Sequence, residues 1–191
     1  MTEKLTESER ELLLRLARTT LESAVRGEKL PPLELSRLPP ALRTAGASFV
    51  TLTIHGQLRG CIGALEPYQP LAADVREHAV AAALEDTRFP PVSPAELPRL
   101  LIEISRLTPP QALPYTDAQD LLSRLCPGID GVILRDGSRR GTFLPQVWEQ
   151  LPDKAEFLSR LCQKMGAQSS AWRSKHLEVQ IYQVEEFHES R

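Results

Sequence analysis

Aromatic residues are scarce in this chain: Phe, Trp and Tyr together make up 5% of its 191 residues. So thin a supply argues against the stacking platforms that hold single-stranded nucleic acid. Neither sign of charge dominates, with 23 Lys and Arg against 25 Asp and Glu, so the chain is not built to coat nucleic acid or membrane by charge alone. The three cysteines, Cys61, Cys126 and Cys162, form no C-x-x-C pair, and the four histidines show no H-x-x-x-H spacing. That pattern predicts free thiols in a reducing compartment, without a disulfide framework and without a metal site. No run approaches the ~20 apolar residues of a membrane span, and the polar start MTEKLTESER lacks the apolar core of a secretory signal. A cytoplasmic location is therefore expected. No G-x-G-x-x-G or phosphate-binding loop precedes a helix, so no cofactor is expected either.

What the chain does have is proline, 16 residues of it, against a usual share of ~5%. The prolines gather at 31–40, 90–98 and 109–114 and mark seams between regular elements. Before the first seam, Thr6 and Glu9 form a capping box. Leu12, Leu13, Leu16, Ala17, Leu21, Ala24 and Val25 then repeat at helical spacing until Gly27, which predicts an N-terminal helix over 6–27. From Phe49 the pattern turns β-like, with FVTLTI and QLRGCIG joined by His55-Gly56 as a two-residue hairpin turn. A two-residue turn sets Cys61 opposite Val50. Pro70 opens an alanine-rich helix, and LLIEISRL follows as a strand with Leu100, Ile102 and Ile104 on one face and Glu103 and Ser105 on the other.

The second half reads much like the first. A short helix near Asp117–Cys126 precedes a hairpin of GVILR and SRRGTF around Asp136-Gly137. A helix capped by Asp153 and Glu156 then leads to the strand LEVQIYQV. HGQLRGC and DGSRRGT match in their glycines and in Arg59 and Arg140, which suggests an internal duplication of a hairpin–helix–strand unit. The expected fold is α+β: a mainly antiparallel sheet from two related hairpin–helix–strand repeats, with flanking helices and the N-terminal helix. It would form a single domain over 1–191, in two lobes of about 45–110 and 115–187.

The run Leu58-Arg59-Gly60-Cys61-Ile62-Gly63 carries more than a hairpin signal. It resembles the LRGCIG signature of the AmmeMemoRadiSam system protein A family, also called the AMMECR-one-like family. Further segments similar to that family follow in order: Asp86-Thr87-Arg88-Phe89-Pro90, Ile102-Glu103-Ile104-Ser105, Asp130-Gly131-Val132, Leu144-Pro145-Gln146-Val147 and Lys164-Met165-Gly166. Trp172 and Tyr182 fall where the family has an aromatic pair. The resemblance implies a mostly antiparallel fold of repeated β-rich units. It also implies joint action with a radical-SAM protein and a Memo-like protein, and it names no reaction.

Cys61 is the sharpest functional candidate. Gly60 and Gly63 leave room for backbone turning or a ligand's approach, and strand alternation sets Arg59 on the side of the thiol, where its charge can stabilise a thiolate. The competing reading is a buried cysteine acting as a small hydrophobe, which is also how Cys126 and Cys162 read beside their leucines. Arg59, Arg88, Glu103 and Gln146 all lie in the family-like segments and can orient a substrate through charge-assisted hydrogen bonds. Alternatively Asp86, Arg88 and Glu103 form a structural ion-pair cluster. His55 is a candidate base, or an exposed turn residue.

The leading expectation is an enzyme or enzyme component with a site at the LRGCIG hairpin between the two repeats. Cys61, Arg59 and Glu103 would carry the chemistry, with Gly60, Gly63, Arg88, Ser105, Gln146 and His55 around a small-molecule or protein substrate. The rival is a non-catalytic module docking onto the radical-SAM or Memo-like protein. A weaker alternative is RNA or nucleotide binding through Arg135, Arg139 and Arg140.

Overall fold

The computed structural model describes residues 4–190. In chain order the elements are α1 (Glu7–Val25), α2 (Pro40–Arg43), β1 (Ala45–Ile54), β2 (Gln57–Gly63), β3 (Gln69–Pro70), α3 (Leu71–Leu84), β4 (Leu100–Leu107), β5 (Gln111–Ala112), α4 (Ala118–Arg124), β6 (Gly131–Asp136), β7 (Arg139–Phe143), α5 (Lys154–Lys164), α6 (Ala171–Ser174), β8 (Glu178–Tyr182) and β9 (Val184–His188). Every strand pairing described is antiparallel, and helices flank the sheets. This is the α+β fold expected from the pattern.

Local chemistry explains the boundaries. α1 starts at a reciprocal capping box, in which the Glu9 N–H donates to Thr6 Oγ1 (3.3 Å) and the Thr6 N–H donates to Glu9 Oε2 (2.8 Å). The chain leaves α1 through Gly27 at φ +70°. Asp117 and Asp153 cap α4 and α5 by accepting backbone N–H bonds. In the first hairpin His55 and Gly56 both have positive φ, 53° and 77°, the signature of a type I′ turn whose twist matches the strands. The second hairpin differs from expectation. Asp136 pairs with Arg139, so the loop residues are Gly137 and Ser138 rather than Asp136-Gly137.

Contacts divide the chain into two compact units. One runs to Thr108 and takes back the segment from Glu185. Its strands are ordered β2-β1-β4-β9, with β3 on the end of β1. One face of this sheet packs on α1 and α3: Val50, Leu52, Ile102 and Ile104 are fully buried against Leu13, Leu21, Val75 and Ala79. Arg18 of α1 ion-pairs with Glu189 and donates to the Leu100 carbonyl (2.8 Å), which ties the helix to the returning segment. β9 also corrects the sequence reading of a single strand over 177–184. The strand ends at Tyr182, and after Gln183 the chain enters the other sheet.

The second unit spans Pro109–Val184, with strands ordered β5-β8-β6-β7. Its core centres on Trp148, stacked on Phe157 at 3.6 Å between ring centroids, with Leu158, Leu161 and Cys162 of α5 buried beside them. The Trp148 indole N–H donates to the Asp130 carbonyl (2.7 Å), so the buried ring leaves no polar atom unpaired. Cys162 is core, as expected, but Cys126 is exposed. α4 stops at Arg124, so Leu125 takes the buried position, and Cys126 lies in the following turn, where its N–H donates to Asp130 Oδ2 (2.8 Å). Among the described residues no helix is long and apolar enough to cross a membrane.

Candidate functional site

The position of Cys61 is decided by one extra residue. β1 and β2 pair regularly from Ile54↔Gln57 to Thr53↔Leu58, then slip, so that Leu52 faces Gly60 and Thr51 faces Cys61. The bulge leaves Arg59 without a partner and reverses the facing of all that follows. Cys61 therefore does not pair with Val50, as a regular hairpin would require. Val50 points into the core, and the thiol stands on the opposite face, half-buried. The bulge also breaks the alternation that was to set Arg59 beside the thiol. Its guanidinium is held by Glu96 through two bonds (2.7 and 3.2 Å) and donates to the Pro91 carbonyl (3.3 Å). With Arg59 and the N–H and O–H of Ser93 as donors, the Glu96 carboxyl is held down at about 2.

β2 is an edge strand, and the segment after α3 covers its open side at Cys61. The Cys61 N–H donates to Asp86 Oδ2 (2.9 Å), and its carbonyl accepts from Arg88 Nη2 (3.2 Å). The two side chains are locked to each other by Arg88 Nε and Nη2 (2.9 and 2.7 Å). Acting as a short substitute strand, the pair satisfies both backbone groups that an edge residue would expose. Asp86 is nearly buried, and the Arg88 guanidinium holds its carboxyl well below the usual carboxylate range. Because both Cys61 backbone groups point away from β1, Thr51 and Cys61 form a non-hydrogen-bonded pair, the geometry that brings cross-strand side chains closest. The Thr51 hydroxyl accordingly donates to Cys61 Sγ at 3.2 Å.

The same row continues across the sheet. Thr51 faces Glu103 on β4, so Cys61, Thr51 and Glu103 stand side by side on the face away from α1 and α3. Desolvation, with the neighbouring Glu186 adding to it, raises the Glu103 carboxyl above its ordinary value, and His188 opposes the rise. Phe187 is buried in the core, and alternation about it brings Glu186 and His188 to the Glu103 face. Thiol, hydroxyl, carboxyl and imidazole thus share the sheet face turned away from α1 and α3.

A family model for AMMECR1 matches residues 14–187. The chain belongs to the AMMECR1 family. It is similar to a protein of Thermofilum pendens, 38% identical over 200 residues that cover 98% of this chain and 92% of the relative. A protein of Methanothermobacter thermautotrophicus is 39% identical over 186 residues, covering 97% and 96%. Among solved structures it resembles an uncharacterised protein from Pyrococcus horikoshii, with a TM-score of 0.79, 33% identity and coverage of 98% and 95%.

In this AMMECR1 chain the residues singled out from sequence separate into groups. Cys61, Arg88 and Asp86 are directly bonded, whereas Glu103 stands with Thr51, Glu186 and His188, apart from the Asp86–Arg88 pair. Ser105 shares the Glu103 face and is buried opposite Phe49. His55 is exposed in its turn, and Gln146 belongs to the second unit, on the turn Pro145–Glu149. The glycines serve packing. A Cβ on Gly60 would lie 2.1 Å from the Ala82 carbonyl oxygen, and one on Gly63 would lie 2.4 Å from the Phe49 ring. The room expected for a ligand there is filled by the protein itself.

Thr51, Glu186 and His188 were missed from sequence. The alternation of VEEFH about Phe187 is the signal that marks the last two. Among the described residues no group of three or more His, Cys, Asp or Glu could hold a metal ion.

Proposed function

We propose that this AMMECR1 protein is an enzyme or enzyme component that works through Cys61 as a nucleophile, with Glu103 taking up its proton. The observation that carries this reading is the Cys61–Thr51–Glu103 row, with the Thr51 hydroxyl on the sulfur and a carboxyl of raised affinity for protons one strand further on. In the proposed step Sγ adds to the electrophilic carbon of a C=X double bond, and an S–C bond forms as the π bond breaks and its electron pair moves onto X. The Thr51 hydroxyl turns its proton from sulfur toward Glu103, the S–H bond breaks as the thiol proton passes to the Thr51 oxygen, and the hydroxyl proton passes to the Glu103 carboxylate. The Asp86–Arg88 pair holds the strand in place and keeps a guanidinium at the Cys61 carbonyl. Resemblance of the motif to AmmeMemoRadiSam system protein A supports a radical-SAM protein and a Memo-like protein as partners.

Alkylation of the folded protein by iodoacetamide, followed by peptide mass mapping, tests the row. Cys61 is modified in the wild type, and Thr51→Val and Glu103→Gln each slow its modification by about tenfold or more. Equal rates in all three proteins would remove the chemical role. If Cys61→Ser also left association with the radical-SAM and Memo-like proteins intact, the docking reading would replace it.

A further inference from the structure

We infer that the cleft between α3 and the 30–33 linker is a second binding site, built around His78, that takes a small organic cation with an apolar body. The cleft encloses about 590 Å³ and is lined by Leu30, Leu33, Ile62, Val80, His78 and Glu85, among others. It lies on the far side of the sheet from the thiol, since Ile62 pairs with core-facing Val50 while Cys61 faces the other way. The site is therefore independent of the Cys61 chemistry.

His78 is the observation that points to a ligand. Its side chain is only 6% exposed, yet the polar contact it makes is with Asp74 on the preceding turn, with Nδ1 3.2 Å from Oδ2 and outside hydrogen-bond alignment. Asp74 is fully buried. Its Oδ2 accepts from Ser48 Oγ (2.6 Å), and its Oδ1 has no partner. A carboxylate so deeply buried draws the imidazole proton to Nδ1. Nε2 is then left as an acceptor; it has no bond among the described residues and is absent from the fully enclosed unpartnered atoms, so it opens into the cleft that His78 lines.

The surroundings select the ligand's charge. Arg76, the cleft's one cationic side chain, is tethered by Nη2 to the Pro31 carbonyl (2.7 Å). Glu77 accepts from Tyr68 and Gln69 (3.0 and 2.7 Å), and Glu85 adds a second acidic side chain. With Asp74 behind His78, acids outnumber bases around an acceptor nitrogen, and leucine, isoleucine, valine and alanine supply the walls. An amine or amidine on an apolar body matches each of these features: its N–H donates to Nε2, its charge faces the carboxylates, and its body covers the apolar wall.

Benzamidine serves as the probe and benzoate as its charge-reversed control, with the ring C–H signals of the four histidines as the readout on the full chain. Benzamidine shifts the His78 signals saturably while those of His55 and His176 stay still, and benzoate does not shift them. Glu85→Gln, a change at an exposed position that leaves the fold intact, weakens the binding by about tenfold, and His78→Gln abolishes it. Benzoate binding as well as benzamidine, no saturation of the His78 shift, or an unchanged affinity in Glu85→Gln would each overturn the assignment. The last result decides the matter even if His78→Gln fails to fold.

Discussion

Gly60→Ala adds a single methyl group, and the structure gives its cost. The new carbon would sit 2.1 Å from the Ala82 carbonyl oxygen and 3.1 Å from the carbonyl carbon. Ordinary contact begins near 3.4 Å, so the strand and the helix must part by more than an ångström. Neither is free to do so. α3 is fixed by Leu71, Ala72, Val75, Ala79 and Ala82, each 2% exposed or less, and β2 is held by β1 on one side and by Asp86 and Arg88 on the other. The obstacle is a backbone atom, so no rotamer change relieves it. We expect the loss at the upper end of overpacking costs, about 3 kcal/mol, out of a total stability of ~5–15 kcal/mol. Urea unfolding followed by far-UV circular dichroism reads this as a midpoint lower by about 1 M or more. Far-UV circular dichroism reads the helices of both units, whereas Trp148 and Trp172 both belong to the second. Ala82→Gly should not rescue the variant, since it leaves the carbonyl in place. A Gly60→Ala midpoint within about 0.3 M of the wild type, or a rescue by Ala82→Gly, would refute the steric argument.

Two further outcomes are expected. Asp86 and Glu96 both have depressed carboxyls in the fold, Glu96 at about 2 against an ordinary 4.5. Their contribution is complete above the unfolded carboxylate range and is lost as the pH falls through it toward the folded values. Glu103, raised instead, opposes them. Thermal melts at pH values between about 5 and 2 should show falling stability, with a shallower fall in Glu96→Gln; an unchanged slope in that variant would contradict the Arg59–Glu96 account. The three thiols should also differ toward a bulky maleimide, with exposed Cys126 modified first. Cys162, fully buried and with its thiol pushed up by desolvation, should react only on unfolding, and labelling of Cys162 in the native state would disprove its core placement.

Much of the fold was legible because its signals are local. Thr6 with Glu9, Asp117 and Asp153 name helix starts through side chains that reach no further than one turn. The alternation in LLIEISRL assigned Leu100, Ile102 and Ile104 to the core and Glu103 to the other face without knowledge of a partner. What escaped depends on partners. Alternation holds only while the register holds, and nothing in QLRGCIG announces that Arg59 is skipped. The bulge belongs to the pairing with β1 and to the close approach of α3 at Gly60. The switch of sheets at Gln183 was hidden for a similar reason, since β9 finds its place beside β4, far back in the chain. Cys126 misled because helical spacing was extended past Arg124, and Thr51 passed for an ordinary strand residue until Cys61 was set opposite it. The Ser48–Asp74–His78 group was invisible because alanine-rich α3 reads as a plain packing helix.

The slipped pair in the first hairpin makes the placement of the thiol a matter of counting. Between the turn and Cys61 the chain spends one extra residue, and the register decides whether the sulfur meets the helices or the opposite face. Regular pairing of the full-length stretch would turn the cysteine inward, toward Val50, whereas deleting the skipped Arg59 would remove the bulge and leave the cysteine opposite Thr51. A relative that performs the same chemistry can therefore keep both the extra residue and the bulge, or lose both together, but not one alone. The pairing of the cysteine with Thr51 is a stricter test of shared function than the letters of the motif themselves.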